Sequence, residues 1–221
     1  MKYRKKPGKH TRKLLETLLL PLKTINKPLN KINMRTKKTA GALTHFYKIR
    51  NGKFCEMLNQ PSETSTIFTS ETGKTYHFEE FTQIGGILTR LVLWTDTIKT
   101  TNQEVECISF YLEDQDAKEC LTIPFNSVLC SQILNRLLNV TKYDFKEPVF
   151  FCIGYDKIKQ KSFIWLTQNE KTIPNKFTKE NPGGLPPLEV KKIKGKEVYD
   201  NSSQMDFFRK EVESLYNLIC E

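Results

Sequence analysis

Between Gln83 and Gln168 the apolar residues come in a fixed order of runs, and that order constrains the fold more than any other feature of the chain. Ile84 to Thr97 is a long β-rich run in which Gly85-Gly86 predicts a bulge or a close backbone approach. Glu104 to Leu112 is a second run. Cys120 to Phe125 is a short third, reached across the acidic turn Glu113-Asp114-Gln115-Asp116. Asn126 or Ser127 then caps a helix running to about Asn139. Leu129, Ile133 and Leu137 recur every four residues with Cys130, Leu134 and Leu138 beside them, while Ser131, Gln132, Asn135 and Arg136 take the other face. Pro148 to Tyr155 and Ser162 to Thr167 are the last two runs, joined by Asp156-Lys157-Ile158-Lys159-Gln160-Lys161.

Three strands, a helix and two strands is the order of the OB-fold, a five-stranded Greek-key barrel that binds single strands and oligosaccharides. The predicted class is therefore mainly β: a five-stranded OB-fold barrel with a helix between strands 3 and 4, a C-terminal helix and a basic N-terminal extension. Residues 41–82 are turn-rich and alternate weakly, which predicts loop with one or two marginal strands packed outside the barrel. Pro and Gly between Pro174 and Pro187 forbid regular ladders. EVKKIKGKEVYD beyond them suits one more strand or an extended arm. From about Ser203 a helix carries Phe208, Val212, Leu215, Tyr216 and Ile219 on one stripe. The division expected is a disordered basic leader over 1–40, a binding domain over 41–200 with a Pro/Lys-rich arm at 174–200, and an amphipathic helix over 201–221.

Charge is unevenly spread. Residues 1–53 hold 16 Lys/Arg against the single acid Glu16, whereas residues 54–221 hold 19 against 24 acids. The leader therefore suits a polyanion or membrane surface, and the body does not as a whole. A short helix, Lys13 to Leu20, is predicted there, stopped by Pro21; Met34 opens a second sensible N-terminus. No apolar run is long enough to span a membrane. The six cysteines form no CxxC pair and three lie inside apolar runs, which predicts free thiols in a reducing, cytoplasmic compartment and no zinc site.

Alternation divides the strands into faces. Arg90 belongs outside a barrel and carries Trp94 with it. With Ile108, Phe110 and Leu112 inward, Ser109 and Tyr111 turn outward. With Ile164 and Leu166 inward, Phe163 and Trp165 do the same. The candidate nucleic-acid-binding residues are thus Arg90, Trp94, Tyr111, Phe163 and Trp165, flanked by Lys157, Lys159 and Lys161. Aromatics stack on unpaired bases and lysines meet phosphates. The stretch Lys142 to Lys196 holds 12 Lys against 6 acids, so positive charge gathers around the last hairpin. The same aromatics also suit burial under residues 41–82 or the terminal helix, and the lysines suit a solvated turn. No phosphate-cradling loop or nucleophile elbow is present, and the acidic turn lacks a cation-loop pattern. The chain is predicted to be no enzyme and to need no cofactor.

The segments IGGILTRLVLW, LTIPFNSVLCSQILNRLLNV and KEPVFFCIGYDKIKQKSFIWLTQ resemble the OB-fold single-stranded DNA-binding proteins encoded by tailed bacteriophages. GGLPPLEVKKIKGKEVYD resembles the Pro/Lys-rich arm some of them carry. The resemblance spans residues 83–200. It implies cooperative, sequence-independent coating of replication or recombination intermediates in a host cytoplasm, with no cofactor; replication or recombination proteins and a second copy of the chain are the further partners expected. RNA is the alternative strand. Two departures stand out: the acidic C-terminal segment ends in an apolar-striped helix, and the basic leader is atypical. The competing expectation is a structural or adaptor protein that uses barrel and terminal helix for protein contacts.

Overall fold

The computed structural model describes residues 44–70, 73–98, 101–114, 117–141, 144–193 and 196–220. The basic leader, its predicted helix, Met34 and Asp116 lie outside the described residues.

Ten strands form one sheet. They are β1 (Thr44–Arg50), β2 (Lys53–Leu58), β3 (Thr66–Thr69), β4 (Thr75–Phe81), β5 (Gln83–Ile98), β6 (Gln103–Glu113), β7 (Lys118–Pro124), β8 (Val149–Asp156), β9 (Lys161–Gln168) and β10 (Lys171–Thr172), in the order β10-β9-β8-β5-β6-β7-β1-β2-β4-β3. A separate hairpin pairs β11 (Glu189–Ile193) with β12 (Lys196–Asp200). The helices are α1 (Val128–Leu137) and α2 (Ser202–Cys220). Among the described residues no helix is long and apolar enough to cross a membrane.

The mainly β class holds, but the five-stranded closed barrel does not: the sheet has ten strands and is open. A five-strand barrel would close by pairing its third and fifth strands, here β7 and β9. The edge of β7 is instead taken by β1 in parallel, with Phe46 opposite Cys120 and Tyr47 opposite Leu121. Beside β9 stands α1, where Gln132 Oε1 accepts the Ile164 N–H at 2.9 Å. Residues 41–82, expected as loop with one or two marginal strands outside the barrel, contribute β1, β2, β3 and β4 to the same sheet. Their Thr, Ser and Glu hide the pattern because one face of these strands is not buried in the core.

The core lies on one face. Leu91, Ile108, Phe110, Leu112 and Leu121 pack against Cys130, Ile133, Leu134 and Leu137 of α1 and Met205, Phe208, Val212 and Leu215 of α2. Ser127 caps α1, its side chain accepting the Cys130 N–H at 3.1 Å. Arg209 of α2 makes a two-pronged ion pair with Glu106 of β6, one arm 2.7 Å long, and lies over the Phe125 ring. The buried Glu119 carboxylate accepts from Tyr47 Oη at 3.3 Å and the Gly85 N–H at 3.0 Å, tying β7 to β1 and β5. Those bonds offset the cost of burying the carboxylate.

Simple alternation fails at one place in β5. Ladder pairing with β6 slips between Leu88 and Arg90, so Leu88 and Leu91 both reach the core and Ile87 faces out. The close approach expected at Gly85-Gly86 is present: a Cβ at Gly86 would fall 2.7 Å from the Glu113 carbonyl oxygen.

Candidate nucleic-acid interface

Residues directly opposite each other in a ladder share a face. Arg90 stands opposite Tyr111, Tyr111 opposite Cys120, and Cys120 opposite Phe46. Beyond β1 the same face carries Met57 opposite Phe78, and Phe68 opposite Tyr76. This face is the reverse of the one packed by α1 and α2. It holds a groove of about 860 Å³. Val92, Trp94 and Asp96 of β5 form one wall, Phe68 and Tyr76 the other, and Cys120, Thr122, Phe46, Lys48 and Met57 the floor. Phe46 is 62% exposed and Met57 60%, unusual for side chains of that size.

Trp94 is 39% exposed, and its orientation is fixed from below. The indole Nε1–H donates to Ser109 Oγ at 3.0 Å, and Ser109 shares a 2.8 Å hydrogen bond with Thr122. With that donor engaged, the indole offers a ligand only its apolar ring. Phe46, Phe68 and Phe78 have no polar side-chain atom to offer. These four rings present stacking surfaces, beside the polar side chains of Tyr76, Tyr111, Asp96, Lys48 and Arg50.

Two guanidiniums lie on this aromatic surface. Arg50 sits 4.0 Å above the Phe68 ring and 5.0 Å from that of Phe78, and Arg90 sits 4.2 Å above Tyr111. Among the described residues neither is in an ion pair. Asp96 and the nearby Glu80 keep the surface from being uniformly basic. Burial, reinforced by Glu80, pushes the Cys55 thiol up; burial, reinforced by Asp96, does the same for Cys107. Both are neutral thiols near pH 7.

The eight predicted residues fall into two groups. Trp94 and Tyr111 line the groove, and Arg90 stacks on Tyr111. Phe163 and Trp165 form a separate patch on β9, set apart by β8 and the first half of β5. Their rings stack at 5.6 Å between centroids with 25° between planes. The end of the Phe163 ring covers Gly154, where a Cβ would fall 2.5 Å from its Cζ. Lys157, Lys159 and Lys161 are exposed on the adjoining turn, with Lys159 4.0 Å from Asp156. Asp156 Oδ1 accepts the Ile158 and Lys159 N–H groups, and these bonds hold its carboxyl below the usual range.

Sequence reasoning missed Phe46, Lys48, Arg50, Met57, Phe68, Tyr76 and Phe78. A signal was there: Phe46-Lys48-Arg50 and Tyr76-Phe78-Glu80 each alternate with period two. Among the described residues no group of three or more His, Cys, Asp or Glu is placed to hold a metal ion. In the acidic turn Glu113 pairs with Lys118 at 3.2 Å, and Asp114 accepts the Ala117 N–H. His45 bonds Glu56 at 2.6 Å.

No protein-family model, no curated protein and no solved structure matches this chain.

Proposed function

We propose that this protein binds single-stranded DNA without sequence preference and without catalysis, shielding strands exposed in replication or recombination. One observation carries the reading. An open groove on the face away from the core joins Trp94, Tyr111, Phe46, Phe68 and Phe78 to the cations Lys48 and Arg50. Unpaired bases offer apolar faces, and each base stacked on an aromatic contributes about 1–3 kcal/mol. Base pairs in a duplex keep those faces stacked internally. The neighbour order β7-β6-β5-β8-β9, with a helix between β7 and β8, supports reading the middle of the sheet as an OB-fold opened between its third and fifth strands.

The exposed Phe46 and Met57 favour a second reading, in which the groove takes an apolar segment of another protein. Salt separates the two. Single-strand binding loses affinity with a log–log slope of about −0.7 per phosphate neutralised, and a protein contact around apolar anchors responds far less. The test is fluorescence anisotropy of labelled oligo-dT and of a duplex over a salt series, with the full chain and its Phe46→Ala variant. Preferential, salt-steep binding of oligo-dT that weakens in Phe46→Ala supports the reading. Equal affinity for both forms, untouched by Phe46→Ala, overturns it.

A further inference from the structure

We infer that the stacked pair Phe163–Trp165 is a second platform for the strand held in the groove, and that the β1–β2 turn bridges the two, so that one long strand runs over both. The inference rests on the single-strand reading above.

In the order of the sheet the two surfaces are far apart, with β5, β6 and β7 between β8 and β1. In space they meet. Gly52, in the turn after β1, sits against the last residues of β8. A Cβ there would fall 2.5 Å from Tyr155 Cβ and 3.2 Å from the Gly154 carbonyl oxygen. The position takes glycine because it combines that approach with a φ of +70°. Gly154 is in turn the residue that the Phe163 ring covers, and Phe163 stacks on Trp165. Contacts therefore run from the turn to the second platform without a gap. Phe163 and Trp165 alternate with the buried Ile164 and Leu166, so the platform, like the groove, lies on the side of the sheet away from the core.

The cations follow the same route and select the occupant. Arg50 lines the groove, and Lys53, its ladder partner across the turn, shares its face. Beyond Gly154 come Lys157 and Lys161, both exposed. Among the described residues none of these four is in an ion pair. A nucleic-acid strand carries a negative charge at every residue and so meets cations anywhere along such a route, whereas a peptide would need acids at matching positions. At the far end Phe163 is 44% exposed and offers a ring without a polar atom, the surface an unpaired base stacks on. Rings at both ends with unpaired cations between them make the bridge suited to the sugar–phosphate chain.

The chain's two tryptophans stand one on each surface, Trp94 on the groove and Trp165 on the platform, and so report on them separately. Trp165→Phe leaves the groove reporter and Trp94→Phe the platform reporter, each keeping a ring in place. The probes are oligo-dT strands of about six and about fourteen nucleotides, within the span of roughly 4–16 that small single-strand-binding folds cover. The short strand is expected to quench Trp94 alone. The long strand is expected to quench both and to bind at least about tenfold tighter, because its second contact is made within one complex. Lys53→Glu is expected to cancel that gain and the Trp165 response, with circular dichroism unchanged, and Lys53→Arg to retain both. Sedimentation velocity with the long strand is expected to show one chain per strand. A short strand that quenches Trp94, beside a long one that binds no tighter and leaves Trp165 silent, overturns the inference and keeps the groove. A gain that survives Lys53→Glu, or that comes with two chains on each long strand, overturns it as well. Binding of neither strand sinks the single-strand reading and the inference together.

Discussion

Trp94 donates its indole N–H to Ser109, and Ser109 is in turn hydrogen-bonded to Thr122, so three adjacent strands hold one exposed ring in a fixed attitude. A stacking platform held this way loses little side-chain freedom when a base lands on it. Trp94→Ala is expected to weaken oligo-dT binding by about 1–3 kcal/mol, roughly 5- to 150-fold, with circular dichroism unchanged. Trp94 and Trp165 are the chain's two tryptophans. In a Trp165→Phe background the emission reports on Trp94 alone. Ser109→Ala should then shift that emission and weaken binding less than Trp94→Ala does. Unchanged affinity in Trp94→Ala would move the site away from this wall.

Arg50 combines a charge with a flat surface over Phe68. Arg50→Lys keeps the charge and loses the planar stack, whereas Arg50→Ala loses both. Salt titrations of oligo-dT affinity are expected to show the log–log slope falling by about 0.7 in Arg50→Ala and staying near the wild-type value in Arg50→Lys. Equal slopes in all three proteins would mean that Arg50 touches no phosphate.

Gly86 and Gly154 both lack room for a Cβ, but what they would meet differs. At Gly86 the obstacle is the Glu113 backbone; at Gly154 it is the end of the Phe163 ring, which can swing outward. Gly86→Ala is expected to cost about 1–3 kcal/mol in urea unfolding. Gly154→Ala should cost less, and its signature is a change in Trp165 emission as Phe163 leaves its stacked position.

The β8–β9 turn carries an acid-sensitive clasp. Asp156 accepts two turn N–H groups in its ionised form, which depresses its pKa below the ordinary 3.8. A group depressed in the fold stabilises above its unfolded value, and that contribution is lost as pH falls through the folded value. Amide resonances of Ile158 and Lys159 should therefore titrate with a midpoint below 3.8. A midpoint above 3.8 would contradict the clasp.

Cys55, Cys107, Cys120, Cys130 and Cys152 are buried and Cys220 is exposed, all as thiols. Burial also pushes the Cys130 thiol far up and raises Cys152. A thiol-reactive chromophore at pH 8 is expected to label one site quickly, and Cys220→Ser to abolish that fast phase. The remaining five should react only as fast as the protein unfolds.

Local pattern carried a good part of this fold. The apolar stripe and Ser127 defined α1, because a helix reports its buried face within ten residues. Ile108-Phe110-Leu112 and Ile164-Leu166 fixed the inward sides of β6 and β9, because side chains alternate strictly in an unbroken strand. The inner side of β5 was half legible: Leu91 falls inward as alternation predicts, but the slip before Arg90 sends Leu88 inward as well. Nothing in a single strand announces a slip that exists only relative to its neighbour.

The candidate site divides the same way. The residue types were legible, since alternation puts Arg90, Trp94 and Tyr111 outward together, and the structure has them on one face. Their grouping with Phe46, Arg50 and Phe68 was not. Which strand takes the open edge of β7 depends on competition between β1 and β9, residues more than a hundred positions apart in sequence, and only packing decides it. That choice kept the sheet from closing on itself, added four strands from a segment without an apolar run, and placed Phe46, Arg50 and Phe68 on the same face as Trp94. The sequence by itself determined the strands β5 to β9, the two helices and their chemistry; the tertiary structure recruited β1 to β4 and decided which side chains share a surface, because strand pairing is a long-range contact that local alternation does not encode.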